Sequence, residues 1–279
     1  MMSTRVPGPI LRPFVSVLWA SAEPAECALP AAARCARELV LPTGAMHLAL
    51  RLGDTPLGLF DAIDADRPRS VSTAVVGGAR AGSYLRDVSQ PVQTVGAQLE
   101  PGMASVLLGV PADELAGRHT PLDALWGERD VERMRDQLAE APSLDARMAL
   151  FERLLVARLP RIRGLHPAIA EGLFRLAQQA DVAAAVAASG YSHRRFTTLF
   201  RSAVGLPPKL FCRVRRFEQA LVQVGRAPAP SWSALALAAG YSDQAHFNRD
   251  FREFTGLTPG RYRALAPTFA HHVPVSGSC

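Results

Sequence analysis

The clearest pattern of apolar and polar positions lies near the C-terminal end of the chain. Phe247, Phe251 and Phe254 recur at the i, i+4, i+7 spacing that places side chains on one face of an α-helix. That face must be buried, and the opposite face carries small, amide and guanidinium groups. Ser242 is in position to cap the start of the helix, and Gly256 follows its end. The pattern predicts an amphipathic helix.

A shorter apolar helix precedes this one, with Ser231 as its cap and a break at Gly240. The order helix, glycine turn, helix is typical of a helix-turn-helix motif. A second copy lies upstream, where the first helix opens at Asp181. Gly190, Phe196, Phe200, Gly205 and Pro208 correspond to Gly240, Phe247, Phe251, Gly256 and Pro259, after one residue is skipped beyond Gly-Tyr-Ser. The repeat predicts two helix-turn-helix units, and the alternative is two ordinary helical hairpins.

The polar faces of the two second helices hold the candidate DNA-contacting residues. They are Arg194, Arg195, Thr197, Thr198 and Arg201 in the first unit, and Gln244, His246, Asn248, Arg249 and Arg252 in the second. Arginine can make two hydrogen bonds to guanine and asparagine two to adenine, whereas threonine offers a hydroxyl or a methyl contact to thymine. We therefore expect both helices to reach successive segments of a major groove.

The helix predicted between the two units sets their separation. Pro208 to Val224 would form a rod of about 25 Å. Successive major-groove faces on one side of straight B-DNA lie about 34 Å apart. We therefore expect a bent duplex or the full insertion of one helix alone. Arg213 and Arg216 lie on the outward side of the rod, where they would meet either phosphates or solvent.

The paired motif resembles the DNA-binding domain of AraC/XylS-type transcriptional regulators, over about residues 165–266. The matching residues are Ala236, Gly240, Tyr241, Phe247, Arg249, Phe251, Arg252, Gly256, Thr258 and Pro259. The first unit departs from the family by having Thr198 where arginine is common. The resemblance implies a sequence-specific DNA-binding transcriptional regulator with double-stranded DNA as its partner and no cofactor. RNA polymerase, an unidentified small-molecule effector and a second copy of the chain are further partners that it allows.

Residues 1–127 are rich in short apolar runs broken by turn residues. The runs are Phe14–Trp19, two within Glu38–Leu52, then Val71–Gly78, Ala81–Leu85 and Val92–Leu99. They predict a small barrel or sandwich. The stretch also resembles a cupin-like N-terminal domain through Arg37, Glu38, Pro42, Gly44 and His47. The predicted fold class is α+β: a β-rich, barrel-like N-terminal domain, then an all-α domain with two helix-turn-helix motifs joined by a long helix.

Residues 128–164 are predicted to form a helical linker between the two domains. Val131, Met134 and Leu138 mark one helix, and Leu144, Met148, Phe151 and Leu155 mark the next. Their apolar faces must pack either on a second subunit or on the β-rich domain of the same chain. Residues 267–279 are expected to be a poorly ordered tail.

Charge is divided unevenly along the chain. Residues 1–160 hold 16 arginines against 19 acids, a net of −3, while residues 161–279 hold 15 Lys plus Arg against 6 acids, a net of +9. Together they give the formal net charge of +6. The excess positive charge therefore coincides with the paired motif, which favours a polyanionic partner for the C-terminal half alone.

Other classes of function find less support in the sequence. Cys27, Cys35, Cys212 and Cys279 form no Cys-x-x-Cys pair, so no metal site is predicted. His47 alone on an apolar strand is expected to be a core or rim residue. No long apolar run or signal peptide occurs, so a cytosolic protein is expected.

Two rival functions remain open. One is an enzyme whose N-terminal barrel catalyses while the basic domain tethers it to DNA, although no nucleophile-base pair or phosphate loop is recognisable. The other is a structural DNA-bending protein that compacts DNA. Glu38, Arg51, Tyr84 and Arg86 would line a pocket if their strands turn inward. The sequence does not show which strand faces are inside, so the effector-binding residues stay unknown.

Overall fold

The computed structural model describes residues 2–22, 37–62, 65–160, 164–178, 181–224 and 231–275. Cys212 lies within these ranges and is a free thiol. The expectations about Cys27, Cys35 and Cys279 lie outside the described residues. None of the helices in the described ranges is both long and apolar enough to cross a membrane.

The strands come almost entirely from the first half of the chain. In chain order they are β1 (Met2–Arg5), β2 (Val15–Ser21), β3 (Arg37–Val40), β4 (His47–Arg51), β5 (Gly58–Phe60), β6 (Arg69–Ser70), β7 (Ala74–Gly77), β8 (Tyr84–Asp87), β9 (Thr94–Leu99), β10 (His119–Pro121) and β11 (His272–Val275). The first sheet has the order β1-β2-β9-β4-β7-β10, and the second has the order β11-β3-β8-β5-β6. All their pairings are antiparallel.

The β-rich expectation is confirmed, but the barrel is not closed. In the described part of the chain the strands form two separate sheets rather than one continuous ring. The turn at Pro42, Thr43 and Gly44 carries the chain from β3 in the second sheet to β4 in the first, with Gly44 in the left-handed conformation at φ 66°. This turn therefore joins two sheets and does not form a hairpin.

Buried and accessible side chains alternate along β4, which shows which face of the first sheet packs on the main core. Leu48 and Leu50 are completely buried in the main apolar core, whereas His47, Ala49 and Arg51 keep accessible surface. Successive side chains of a strand point to opposite faces. One face of the first sheet therefore builds the core, and the other face turns toward the second sheet.

The described residues between β9 and α6 form five helices, with β10 between the second and the third: α1 (Ala104–Leu108), α2 (Ala112–Leu115), α3 (Asp123–Trp126), α4 (Glu128–Ala139) and α5 (Leu144–Ala157). The two helices predicted in this stretch are α4 and α5. Their marker residues Val131, Met134, Leu138, Met148, Phe151 and Leu155 are buried, whereas Leu144 is half-buried. Helix α5 packs on β2, β1 and β9 of the same chain. The apolar face of α5 is thus covered by its own β domain, and α4 packs on α3 and α5. Within α5, Arg147 is buried and donates to the carbonyl oxygen of Leu138 at 2.9 Å.

The C-terminal half is helical, as predicted. It contains α6 (Pro167–Ala177), α7 (Val182–Ser189), α8 (His193–Val204), α9 (Pro208–Val224), α10 (Trp232–Ala238), α11 (Gln244–Thr255) and α12 (Pro259–Leu265). Helix α9 has the 17 residues expected of the rod between the two units. Its apolar face meets both units through Phe211 against Phe200, and through Phe217 against Phe251 and Phe254. These aromatic contacts join the two helix-turn-helix units into one body.

The expectation of a poorly ordered tail is wrong for residues 268–275. After α12 the chain returns to the N-terminal domain, where β11 pairs with β3 at the edge of the second sheet. Val273 is buried, and the Tyr262 hydroxyl donates to the Ala270 carbonyl oxygen at 2.8 Å. The backbone amide of Leu41 also donates to the His271 carbonyl oxygen at 2.9 Å. Pairing with a distant strand orders this segment.

Candidate nucleic-acid interface

The first helix-turn-helix unit consists of α7 and α8. The carboxylate of Asp181 accepts a hydrogen bond from the Ala184 amide, and the Ser192 hydroxyl accepts one from the Arg195 amide, so each helix has a side-chain cap. Between them Gly190 adopts φ 69°, which an L-residue rarely tolerates. Local sequence thus determines both the turn and the starts of the two helices.

The second unit, α10 and α11, has the same plan with one extra residue in its turn. Ser231 caps α10 as predicted. The predicted cap of α11, Ser242, is wrong, because Asp243 occupies this position and accepts from the His246 amide at 2.7 Å. Ser242 instead donates to the Asp243 carboxylate at 3.1 Å. The residue skipped in the sequence comparison therefore moves the cap one position along the chain.

An internal ion pair fixes α11 against α9. Asp250 is buried and accepts from Arg213 at 2.7 Å, and Glu253 accepts from the same guanidinium at 2.6 Å. These bonds raise the pKa of Arg213. Arg216 lies over the Tyr241 ring at 5.4 Å and reaches the Gly240 carbonyl oxygen at 3.4 Å. Both arginines that were considered for phosphate contact therefore hold the second unit together.

Sequence reasoning missed the acid that makes this pair. The sequence did contain an indication of it. Asp250 lies between Phe247 and Phe251, so its carboxylate is placed near the apolar, buried face of α11. A buried carboxylate requires a partner, and Arg213 was the unassigned cation on the neighbouring helix.

Most of the predicted DNA-contacting residues lie on the outer surface of α8 and α11. Those that are exposed are Arg194, Arg195, Thr198, Arg201, Gln244, Arg249 and Arg252, while His246 and Asn248 are half-buried. Within the described ranges, the guanidinium groups of Arg194, Arg195, Arg249 and Arg252 have no carboxylate within ion-pair distance. The two helices thus present uncompensated cations to solvent.

Three of the predicted contacts differ from the expectation in detail. The Thr197 hydroxyl is inaccessible to solvent and has no hydrogen-bond partner among the described residues, so it is not presented to a DNA groove. The Thr198 hydroxyl donates to the Arg194 carbonyl oxygen at 3.1 Å, so it is engaged within α8 although the residue is exposed. The His246 ring lies 3.2 Å from the Ser242 hydroxyl and packs edge-on against Tyr241. Its Nδ1 atom is already engaged within the turn.

The N-terminal domain contacts the C-terminal ends of both outer helices. Arg201 of α8 lies 3.9 Å from Asp113 of α2. At the end of α8, a Cβ on Gly205 would lie 2.9 Å from Met46 and 3.2 Å from Ala79. At the end of α11, the Phe254 carbonyl oxygen accepts a hydrogen bond from the Ser83 amide at 3.1 Å. The loop after β7 therefore touches both helix-turn-helix units.

Between the two sheets lies a group of polar rings and a cation, which we call the inter-sheet cluster: His47, Arg80, Tyr84 and His119. Tyr84 of the second sheet meets His119 of the first with ring centroids 4.5 Å apart. Burial, together with the nearby Arg80 charge, lowers the pKa of His47 to about 4 and that of His119 to about 3. Both imidazoles are therefore neutral at pH 7. The expectation that His47 is a core or rim residue agrees with this position.

A charged triad borders this cluster on the second sheet. The Glu38 carboxylate accepts from the Arg86 guanidinium and lies 2.9 Å from the His272 ring nitrogen. Burial alone would raise the pKa of Glu38, but the hydrogen bond to His272 and the Arg86 charge outweigh it and lower that pKa. Glu38, Tyr84 and Arg86 thus face inward, and Arg51, on the same face of β4 as His47, donates to the Thr55 carbonyl oxygen at 2.7 Å. No group of three or more His, Cys, Asp or Glu side chains in the described ranges is arranged to hold a metal ion.

Comparison with known proteins separates the chain into two matched parts. Residues 185–265 match a helix-turn-helix domain family, and residues 3–121 match a family described as a domain of unknown function. YkgA of Escherichia coli K12, whose assigned name is that of an HTH-type transcriptional regulator, is 36% identical over 75 residues, covering 27% of this chain and 31% of YkgA. The HTH-type transcriptional regulator MtrA of Neisseria gonorrhoeae is 31% identical over 78 residues, covering 28% of this chain and 26% of MtrA. The chain thus matches less than a third of the length of either relative.

Solved structures of ToxT from Vibrio cholerae also align with the chain. One has a TM-score of 0.45 at 8% identity, with 94% of this chain and 98% of ToxT covered. Another, of ToxT bound to (E)-4-(8-methylnaphthalen-1-yl)but-3-enoic acid, has a TM-score of 0.46 at 7% identity, with 95% and 99% covered. The second helix-turn-helix unit and most of the first therefore lie in the part of the chain that matches a helix-turn-helix domain family, and a match to a domain of unknown function lies on its N-terminal side.

Proposed function

We propose that this protein is a sequence-specific transcriptional regulator that binds double-stranded DNA through α8 and α11. The observation that carries the proposal is the pair of exposed helix faces, on which four arginines lack a carboxylate partner in the described part of the chain: Arg194, Arg195, Arg249 and Arg252. Removing such cations from water would be costly without an anionic partner, and the phosphates and guanine edges of a DNA groove supply one. The mechanism is binding, and it requires no catalytic step.

Within this proposal the two helices have different capacities to read bases. Helix α11 offers Asn248, Arg249 and Arg252 on one side, so it can recognise adenine and guanine by paired hydrogen bonds. Helix α8 offers Arg194, Arg195 and the Thr198 methyl group, while the Thr197 hydroxyl is turned inward. We therefore assign base reading chiefly to α11. Helix α8 contributes phosphate contacts and methyl contacts.

The rigid joint between the units supports a bent complex. Helix α9 spans 17 residues, or about 25 Å, against about 34 Å between successive groove faces of straight DNA. The aromatic contacts on both sides of α9 hinder the units from spreading apart. Bending a site by tens of degrees costs about 1–6 kcal/mol, which the contacts of the second helix must recover. Gel mobility with circularly permuted sites should vary with site position.

The experiment that tests the function is selection of duplex DNA from a random pool by the full-length chain. A regulator enriches one short motif, whereas a DNA-compacting protein enriches none. For the enriched site we expect affinity to fall by about 10³–10⁵ between ~50 and ~200 mM salt, if six or more phosphates are neutralised. Recovery of unselected sequence, or affinity insensitive to salt, would refute the proposal.

We also propose that the N-terminal domain is a sensor rather than an enzyme. Its inter-sheet cluster contains ionisable groups, but the described residues show no nucleophile hydrogen-bonded to a base there. Contacts from this domain to the ends of α8 and α11 give it a route to alter DNA binding. RNA polymerase and a second copy of the chain remain proposed partners.

A further inference from the structure

One loop of the N-terminal domain reaches the ends of both helices that are proposed to read DNA. We call residues 78–83, between β7 and β8, the brace loop. A Cβ on Gly205, which ends α8, would come within 3.2 Å of the Ala79 side chain. The Ser83 amide, four residues later, donates to the Phe254 carbonyl oxygen in the last turn of α11 at 3.1 Å. The brace loop therefore connects the two helix-turn-helix units separately from α9.

Backbone contacts hold the first part of the brace loop against the loop before β10. The Gly78 amide donates to the Arg118 carbonyl oxygen at 2.9 Å, and the Ala79 carbonyl oxygen accepts from the Gly117 amide at 2.9 Å. A Cβ on Gly78 would collide with the Leu115 carbonyl oxygen, so the two backbones approach as closely as glycine allows. Ala79 is completely buried. The brace loop is therefore a fixed part of the N-terminal domain.

The same domain contacts the first unit and the connecting helix at further points. Helices α1 and α2 pack on α8, where Arg201 pairs with Asp113 at 3.9 Å. In α9, Val214 lies against the turn at Gly44, where a Cβ would come within 3.0 Å of it. Together with the brace loop, these contacts attach both units and α9 to one domain.

A second connection between the units restricts a motion that α9 alone permits. Phe211 and Phe217 join α9 to the two units, and two bodies joined by one rod can turn about the axis of that rod. Helices that pack side by side keep their axes about 8–10 Å apart, so a contact made on α11 lies away from the α9 axis. Such a contact opposes the turn. The N-terminal domain therefore fixes the angle between α8 and α11 together with α9.

We propose that the brace loop fixes the number of base pairs between the two groove segments that the chain recognises, with Ser83 as a positioning residue. This inference rests on the proposed function. One base pair of B-DNA corresponds to about 3.4 Å along the duplex and about 35° of rotation around it. A rigid pair of helices loses the contacts of one unit when the spacing changes, whereas a pair that can turn about α9 recovers part of them. The full-length chain therefore requires one spacing.

Changes in the brace loop separate this role from a merely structural one. Ser83→Pro removes the amide that donates to α11, because proline has no backbone N–H. Ser83→Ala keeps that amide and is the matched control. Insertion of two glycines between Gly82 and Ser83 loosens the brace loop without removing any residue. A Cβ on Gly82 would meet no atom of the described residues within 4 Å, so Gly82→Ala is a second control.

The experiment measures the affinity of the full-length chain for its selected site and for versions with one base pair inserted or deleted between the two contact segments. On the altered sites the wild type and both controls should lose about tenfold or more, the effect of at least one lost base contact. Ser83→Pro and the glycine insertion should lose only about two- to threefold there, because the second unit turns to recover its base contacts. Affinity for the unaltered site and the Tm are measured for every variant, since a destabilised domain would lose affinity on all sites alike.

A smaller spacing penalty in Ser83→Pro and in the glycine insertion, with a full penalty in both controls, is the expected result. An equal penalty in the wild type and in both altered loops would overturn the role of the brace loop. Tolerance of the altered spacing by the wild type would overturn it as well, while leaving the regulator intact. Selection of no site by the wild type would refute the regulator and this inference together. The glycine insertion decides the question where Ser83→Pro does not fold.

Discussion

Arg201 Nε lies 3.9 Å from Asp113 Oδ2, so a cation on the DNA-facing side of α8 is paired with an acid of the N-terminal domain. DNA phosphates would compete with this carboxylate for the same guanidinium. Asp113→Asn should therefore tighten DNA binding by the full-length chain about two- to fivefold, because exposed pairs are worth about 0.2–1 kcal/mol. Glu114→Gln removes the same charge from the same helix without an ion pair and is the control. Equal effects of the two changes would mean that the loss of one negative charge, and not the loss of the Arg201–Asp113 ion pair, changes the DNA affinity.

Base reading and folding by α11 are separable. Arg249 is exposed and should read one base, so Arg249→Ala should cost about 1–3 kcal/mol on the best site and relax preference at one position. Phe251 is completely buried, and Phe251→Ala should instead lower the free energy of unfolding by about 3–5 kcal/mol. Binding titrations on the selected site and on single-base variants, together with urea denaturation, check both. A uniform loss of affinity on every sequence would make Arg249 a phosphate contact.

Two glycines in equivalent places provide a test of domain docking. Gly205 and Gly256 end α8 and α11 with φ 90° and φ 71°. Alanine at either position should cost about 1–2 kcal/mol of backbone strain. Only at Gly205 would the new Cβ also meet the N-terminal domain, 2.9 Å from Met46 and 3.2 Å from the Ala112 carbonyl oxygen. Gly205→Ala should therefore lower the Tm more than Gly256→Ala, and equal losses would argue against this interface.

A buried carboxyl group on α9 should make stability depend on pH. Burial raises the pKa of Glu218 to about 7 from an ordinary value of 4.5, and the Arg215 charge opposes part of that rise. A carboxyl group with a raised folded-state pKa is favourable while protonated, so its contribution is present below pH 4.5 and is lost as the pH rises through 7. Glu218→Gln should therefore gain stability relative to the wild type between pH 5 and pH 8, by on the order of 1–3 kcal/mol. Urea denaturation at both pH values checks this, with Glu114→Gln expected to show no such trend.

Docking of β11 should be measurable with one pair of substitutions. Val273 is buried against the second sheet, while the next residue, Pro274, is exposed. Val273→Ala should lower the free energy of unfolding by about 1–3 kcal/mol, since most of a buried valine side chain is lost to the core. Pro274→Ala should change it far less. Similar small effects in chemical denaturation would mean that the strand contributes little to the folded state.

The parts of the fold that follow from local sequence were predictable. Phe247, Phe251 and Phe254 defined α11 through helical spacing alone, and Asp181 and Ser231 capped α7 and α10 because capping depends on residues within one turn. Ser242 does not cap α11, because the next residue, Asp243, occupies the N-cap position. The Asp243 carboxylate accepts the hydrogen bond from the His246 amide. A single inserted residue was enough to mislead the comparison between the two units.

Features that depend on distant partners were not predictable. Arg213 looked like a solvent-facing cation until α11 brought Asp250 beside it. His119 lay outside every sequence motif, and only strand pairing placed it opposite Tyr84. We expected the tail to be poorly ordered because its own composition is rich in turn residues. Its ordered part is instead held by pairing with β3. In each case the deciding contact joins residues far apart in the chain.

The return of β11 to the second sheet makes the DNA-binding domain an insertion, anchored to the N-terminal domain before α6 and again after α12. A domain held by two tethers cannot swing away as one on a single flexible linker can. Its effective concentration at the N-terminal domain stays high even if one tether is released, because the other still limits the distance. The DNA-binding domain can therefore reorient on DNA only by a small rotation while both attachments hold. A larger movement requires β11 to leave the second sheet first.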